Sequence, residues 1–227
     1  MRLTPELIET QIRALLEVYP DLQKMEHTDS VIKFQGSIFI NRIHNEYTLQ
    51  KSYDLQIVLP INNDNLPYVV DINDNISPTY HHKYTDGTLC LSTNTDFHLK
   101  FLDGFNILVW MRDFVEPFYF SYEYYQRYDI FPFNERSHGY IGVIETYQDI
   151  FHTDNGSQTL NVMHAIATAK AYRGHHLCLC GSGLKVRNCH REVLQGFFFD
   201  KRKRDILTQD LIYCVKQMEE RRRNGKH

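Results

Sequence analysis

The chain has 227 residues, of which 42% are hydrophobic, and a formal net charge of −3. That length buries a full core with room for a small appendage, and the weakly negative balance argues against a dedicated nucleic-acid binder. No apolar run approaches the ~20 residues that span a bilayer, and Met1-Arg2-Leu3-Thr4-Pro5-Glu6 lacks the apolar stretch of a secretion signal, so a cytoplasmic protein without a membrane partner is expected.

Taken in order, the elements open with a helix. Thr4 caps it, Pro5 sits in its first turn, and Leu7, Ile8, Ile12, Leu15, Leu16 and Tyr19 recur at helical spacing up to Pro20. Strand patterns follow at 30–34, 37–43 and 53–59; in the last, Tyr53, Leu55, Ile57 and Leu59 alternate with Asp54, Gln56 and Val58. Pro60 closes that strand, Asn62 to Pro67 supplies turn chemistry, and Tyr68-Val69-Val70-Asp71-Ile72 is a fourth strand. A helix followed by a strand meander is the pattern of a one-sided antiparallel sheet. Residues 101–120 are apolar nearly all round and read as a buried helix under that sheet.

From Ser121 to Phe133 tyrosines and phenylalanines crowd a stretch read as a packed connection between helices, with a partner-binding face as the alternative. Asp154-Asn155-Gly156-Ser157 marks a boundary, giving expected domains 1–152 and 153–227. Residues 160–172 have helical character, and 191–223 hold one or two further helices. Their basic runs, Lys201-Arg202-Lys203-Arg204 and Arg221-Arg222-Arg223, read as solvated faces.

The cysteines fall into unlike settings. In a reducing compartment, clustered thiols point to metal or catalysis rather than disulfides. Cys178, Cys180, Cys189 and His190 stand in Cys-Leu-Cys-Gly-Ser-Gly-Leu-Lys-Val-Arg-Asn-Cys-His. Zinc takes four such donors in a closed tetrahedron, and Gly181 and Gly183 let the backbone curl around it. The alternative is three buried free cysteines beside a chance histidine. The segment resembles the SEC-C motif, a small zinc-binding tail attached to many bacterial proteins, through its four ligands, the Gly181-Ser182-Gly183 turn and Lys185 within 175–191. That resemblance implies structural Zn2+ in a small helical appendage and leaves the reaction type open. His175 and His176 read as exposed rather than ligating, and Cys214, among Ile206, Leu211, Ile212 and Val215, as a packing residue.

Cys90 ends the polar stretch Tyr80-His81-His82-Lys83-Tyr84-Thr85-Asp86-Gly87-Thr88-Leu89-Cys90-Leu91. It reads as a nucleophile, with a core residue entering a strand as the alternative. If the loop folds back, His81, His82 and Lys83 come near enough to lower the thiol's pKa or to hold an oxyanion. The ordered series of helix, strands, Pro60, Leu66-Pro67 and Asp86-Gly87-Thr88-Leu89-Cys90-Leu91 resembles a ubiquitin-conjugating enzyme over about the first 130 residues. The implied fold is α+β, with an N-terminal helix, a four-stranded antiparallel meander and a buried helix. That family carries a His-Pro-Asn motif at the spacing where this chain has Tyr80-His81-His82, so His82 stands in place of the asparagine. The variation is similar to divergent bacterial relatives encoded in antiphage signalling operons.

The resemblance implies that Cys90 holds a protein C-terminus as a thioester and passes it to an amine, with His82 supporting the oxyanion or loop and His81 in a weaker proton-transfer role. A cyclic-oligonucleotide synthase is the implied modified partner. No phosphate-binding fingerprint is present for ATP, so a separate activating enzyme or a reactive acyl donor is required. Two other classes stay open. One is a cysteine hydrolase pairing Cys90 with His138, His152 or His164, against which Ser92-Thr93-Asn94-Thr95 reads as loop where a helix start is expected. The other is a non-catalytic adaptor that docks proteins through its surface and zinc tail.

Overall fold

The computed structural model describes residues 5–133 and 135–224. The chain divides into two compact units. The first comprises residues 5–92, 103–133 and 135, the second 93–102 and 136–224. The boundary expected at 152/153 therefore falls inside the second unit, where helices on both sides of that turn bury side chains in one cluster.

The first unit is α+β. Its opening helix, α1 (Pro5–Val18), buries Ile8, Ile12 and Leu15 on one face, with Tyr19 just beyond its end; the expected cap, Thr4, lies outside the described residues. Four strands, β1 (Leu22–His27), β2 (Val31–His44), β3 (Tyr47–Pro60) and β4 (Tyr68–Asp71), form an antiparallel meander in the order β1-β2-β3-β4. The number of strands matches the expectation, but two assignments change. The stretches 30–34 and 37–43 are one strand, β2, and the first strand is Leu22–His27. The glycine that reads as a break, Gly36, lies within the ladder opposite Leu22, at φ 151°, where a β-carbon would stand 2.1 Å from the Asp21 carbonyl oxygen. It serves close backbone approach rather than a turn.

The alternation in β3 holds from Tyr53 to Ile57 and then stops, because Val58, expected on the open face, is buried together with Leu59 at the end of the strand. Against the sheet packs a continuous helical run made of α3 (Ile107–Trp110), a wide π-turn (Met111–Val115) and α4 (Glu116–Tyr128). The wide turn precedes Pro117, which has no N–H to donate and whose ring would crowd the carbonyl of Asp113. The helix expected over 101–120 thus begins later and extends through Ser121–Tyr128, so the tyrosine-rich stretch is mostly helix rather than connection. Its aromatic rings meet the sheet: Tyr53 and Tyr119 have centroids 4.4 Å apart, and the Tyr53 hydroxyl donates to Glu123 Oε1 at 2.9 Å.

The second unit is helical: α2 (Asn94–Lys100), α5 (Tyr140–Phe151), α6 (Gly156–Thr168), α7 (Arg191–Phe199) and α8 (Lys201–Asn224). Tyr147, Phe151, Met163, Phe197, Leu207 and Cys214 form its core, and Cys214 packs as expected. Thr93, read from sequence as loop, caps α2 by accepting from the Asp96 amide at 3.1 Å. In the basic run that opens α8, Lys201 pairs with Asp205, Arg202 pairs with Asp200, and Arg204 donates to the carbonyls of Ala167 and Ala169. No helix among the described residues is long and apolar enough to cross a membrane.

Candidate functional site

The Cys90 loop folds back as a hairpin. Asp86 Oδ1 accepts from the Thr88 amide at 2.9 Å and Gly87 takes φ 83°, which closes a tight turn. On its flanks the Tyr84 amide donates to the Thr88 carbonyl, Lys83 bridges Leu89, and the Cys90 amide donates to the His82 carbonyl at 2.8 Å. Bonds from Leu89 to the Val69 carbonyl and from Asp71 to the Gly87 carbonyl tie the hairpin to β4. Folding Cys90 back in this way brings a ring nitrogen of His82 within 4.8 Å of its Sγ.

Behind the histidines stands Glu135. Its Oε1 shares a hydrogen bond with His82 Nε2 at 2.9 Å and a shorter one with His81 Nε2. The scaffold for this is aromatic. Tyr80 is buried with its ring against Phe118 and Tyr122 of α4. After α4 ends, Asp129 takes a left-handed conformation. Phe131 then stacks on Tyr125 and lies edge-on to both imidazoles, and Glu135 follows it. A thiol, an imidazole and a carboxylate thus lie in series, with His82 mostly buried and His81 and Glu135 open to solvent.

The electrostatics differ from the sequence expectation in one respect. Burial pushes the half-buried Cys90 thiol up, opposed by a hydrogen bond from the Tyr84 hydroxyl. Lys83, expected among the groups that lower this thiol, is engaged elsewhere. Its ammonium donates to Asp71 Oδ2 at 2.7 Å, Asp74 Oδ1 at 3.1 Å and the Ile76 carbonyl at 2.9 Å. Burial works against the Asp71 carboxylate, but hydrogen bonds from Lys83, Asn75 and the Ile76 amide outweigh it and hold the pKa below the usual range.

Two residues of this site, Tyr84 and Glu135, escaped the sequence reading. Tyr84 lies inside the hairpin and its role follows once the turn at Asp86-Gly87 is paired. Glu135 is 53 residues from His82, and no local pattern announces it.

In the second unit Cys178, Cys180, Cys189 and His190 bring four ligand atoms within 4.8 Å of one another. Leu177 bridges Lys185 and the Cys178 amide donates to the Leu184 carbonyl, which makes a hairpin whose turn holds Gly181 at φ 86° and Gly183 at φ 71°. A short 3₁₀ turn (Val186–Asn188) then returns Cys189 to the cluster, and His190 caps α7. His190 Nδ1 lies 3.2 Å from Cys178 Sγ and 3.1 Å from Cys189 Sγ, and Cys180 Sγ lies 3.5 Å from Cys189 Sγ. Burial pushes the Cys178 thiol up to about 12. These residues could hold a metal ion, while His175 and His176 are exposed as expected.

Compared with known proteins, the chain matches no family model, no curated protein and no solved structure.

Proposed function

We propose that this chain is a cysteine-dependent acyl carrier on a ubiquitin-conjugating-enzyme-like fold. Cys90, as thiolate, attacks the carbonyl of a protein C-terminus activated elsewhere; the activating group leaves and a thioester forms. An amine of a target then attacks that carbonyl, the C–S bond breaks, the thiolate departs and an amide remains, with the amine's proton passing to a base. The observation that carries this reading is the ring nitrogen of His82 within 4.8 Å of Cys90 Sγ, backed by Glu135. In this reading His82 takes the proton or supports the oxyanion, and His81, more exposed and on the same carboxylate, assists. The donor is a polypeptide delivered by an activating enzyme, and a cyclic-oligonucleotide synthase of an antiphage operon is the modified partner that the sequence resemblance implies.

The second unit serves this reading as a zinc-stabilised docking appendage. A zinc tetrahedron with ~2.3 Å zinc–sulfur bonds has sulfur–sulfur edges of about 3.8 Å. The spacing of Cys178, Cys180, Cys189 and His190, all within 4.8 Å, fits such an ion with little movement. Three thiolates and one imidazole with no position left for water suit a structural rather than a catalytic metal.

The deciding experiment replaces Cys90. In wild type a thiol-sensitive adduct is expected on Cys90, in Cys90→Lys a stable amide-linked adduct whose mass names the donor, and in Cys90→Ala neither. Absence of any adduct in wild type and Cys90→Lys, with function kept in Cys90→Ala, would leave only the adaptor reading.

A second reading draws on Glu135. A thiol, an imidazole and a carboxylate in series also constitute a cysteine hydrolase, with water in place of the amine. Against that class, the helix expected to start at the cysteine begins only at Asn94, with Thr93 as its cap, so Cys90 does not sit at a helix start. The two readings part on the fate of the adduct: free acid for the hydrolase, a linked product for the carrier.

A further inference from the structure

The second unit contains a cavity of about 410 Å³ between α6, the connection that follows it, the cysteine hairpin and α7. Ile166, Leu194 and Phe198 are among its apolar walls. Lys170 and Arg173 also line it, and among the described residues no aspartate or glutamate does. Tyr172 belongs to the lining too, and its hydroxyl is buried without a hydrogen-bond partner among the described residues.

Each feature alone has a bland account, but together they define a chemistry. Apolar walls of this volume accept a hydrocarbon body of ligand size. A buried hydroxyl without a partner is costly and is relieved by an acceptor. Two cations with no carboxylate among the lining residues favour an anion, and a guanidinium matches the fork of a carboxylate. One ligand satisfies all three if a carboxylate ends an apolar chain.

We propose that this cavity binds an organic carboxylate with an apolar body, supplied either as a fatty acid or as the carboxyl end of a peptide whose last residues are apolar. The assignment is independent of the reaction at Cys90.

The test is isothermal titration of the full chain with decanoate, decanol, and a short peptide ending in Leu-Leu as free acid and as amide. Saturable binding of decanoate at least about tenfold tighter than decanol, or of the free-acid peptide over its amide by the same margin, is expected. Decanoate alone assigns a lipid source and the free-acid peptide alone a polypeptide end; both outcomes support the site. Replacing Lys170 and Arg173 together by glutamine should weaken binding by about tenfold or more, Tyr172→Phe by a smaller factor, and Ala165→Trp, which fills the cavity, should abolish it. No saturable binding of either acid, no preference of either acid over its neutral counterpart, or binding unchanged in the Lys170/Arg173 variant would overturn the proposal. That last variant changes exposed side chains, so it decides the matter even if Ala165→Trp does not fold.

Discussion

The Cys90 amide donates to the His82 carbonyl at 2.8 Å, and this bond closes a hairpin that sets the thiol beside the imidazole. Neither side chain makes that bond. Backbone pairing around the Asp86-Gly87 turn brings the two together, so their proximity withstands side-chain substitution, and each can be tested separately.

Alkylation of Cys90 should be slow at neutral pH. Burial raises its thiol above the ordinary ~8.5, so less thiolate is present and the rate should climb only as pH rises through that elevated value. Tyr84→Phe removes the hydrogen bond that opposes burial and should move the profile further up. Peptide-resolved mass spectrometry after iodoacetamide pulses across pH reads both; a profile at or below that of a free cysteine would contradict the site's electrostatics.

Glu135→Gln keeps the size of the side chain but removes the carboxylate shared by His81 and His82. Discharge of the Cys90 adduct should slow by about tenfold or more, with circular dichroism and melting temperature little changed because the residue is partly exposed. Discharge at the wild-type rate would remove Glu135 from the chemistry.

The Lys83–Asp71 pair is structural. Both side chains are nearly inaccessible to water, and Lys83→Met, which leaves a buried carboxylate unpaired, should cost about 3 kcal/mol in urea denaturation. The Asp71 pKa is depressed in the fold, so its contribution is fully present above the unfolded value of ~3.9 and is lost as pH falls through the lower folded value. The double variant Lys83→Met, Asp71→Leu should recover part of the loss.

Gly36→Ala should destabilise the first unit by about 2 kcal/mol or more, from a strained φ and the close Asp21 carbonyl oxygen. A Ser37→Ala control on the same strand should cost less. Equal effects would mean that β1 yields at little cost.

One zinc per chain is expected from native mass spectrometry, and none when Cys178 and Cys180 are both serine. Chelation should lower the melting temperature of the second unit, because metal binding and folding are coupled in a hairpin with so small a core of its own.

What could be read from sequence was what neighbours in the chain decide. The periodicity of α1, the alternation of β3 from Tyr53 to Ile57, the glycine-turned spacing of Cys178, Cys180, Cys189 and His190, and the turn at Asp86-Gly87 are each set by residues a few positions apart, where side-chain size and backbone freedom act directly. What only the folded chain decided depends on contacts across long separations. Glu135 reaches His81 and His82 because α4 ends at a left-handed Asp129, and Lys83 turns to Asp71 because a buried carboxylate demands a partner. Gly36 joins two apparent strands because β1 passes too close for any side chain. Such pairings are selected by how whole elements pack, and no window of local sequence contains that information.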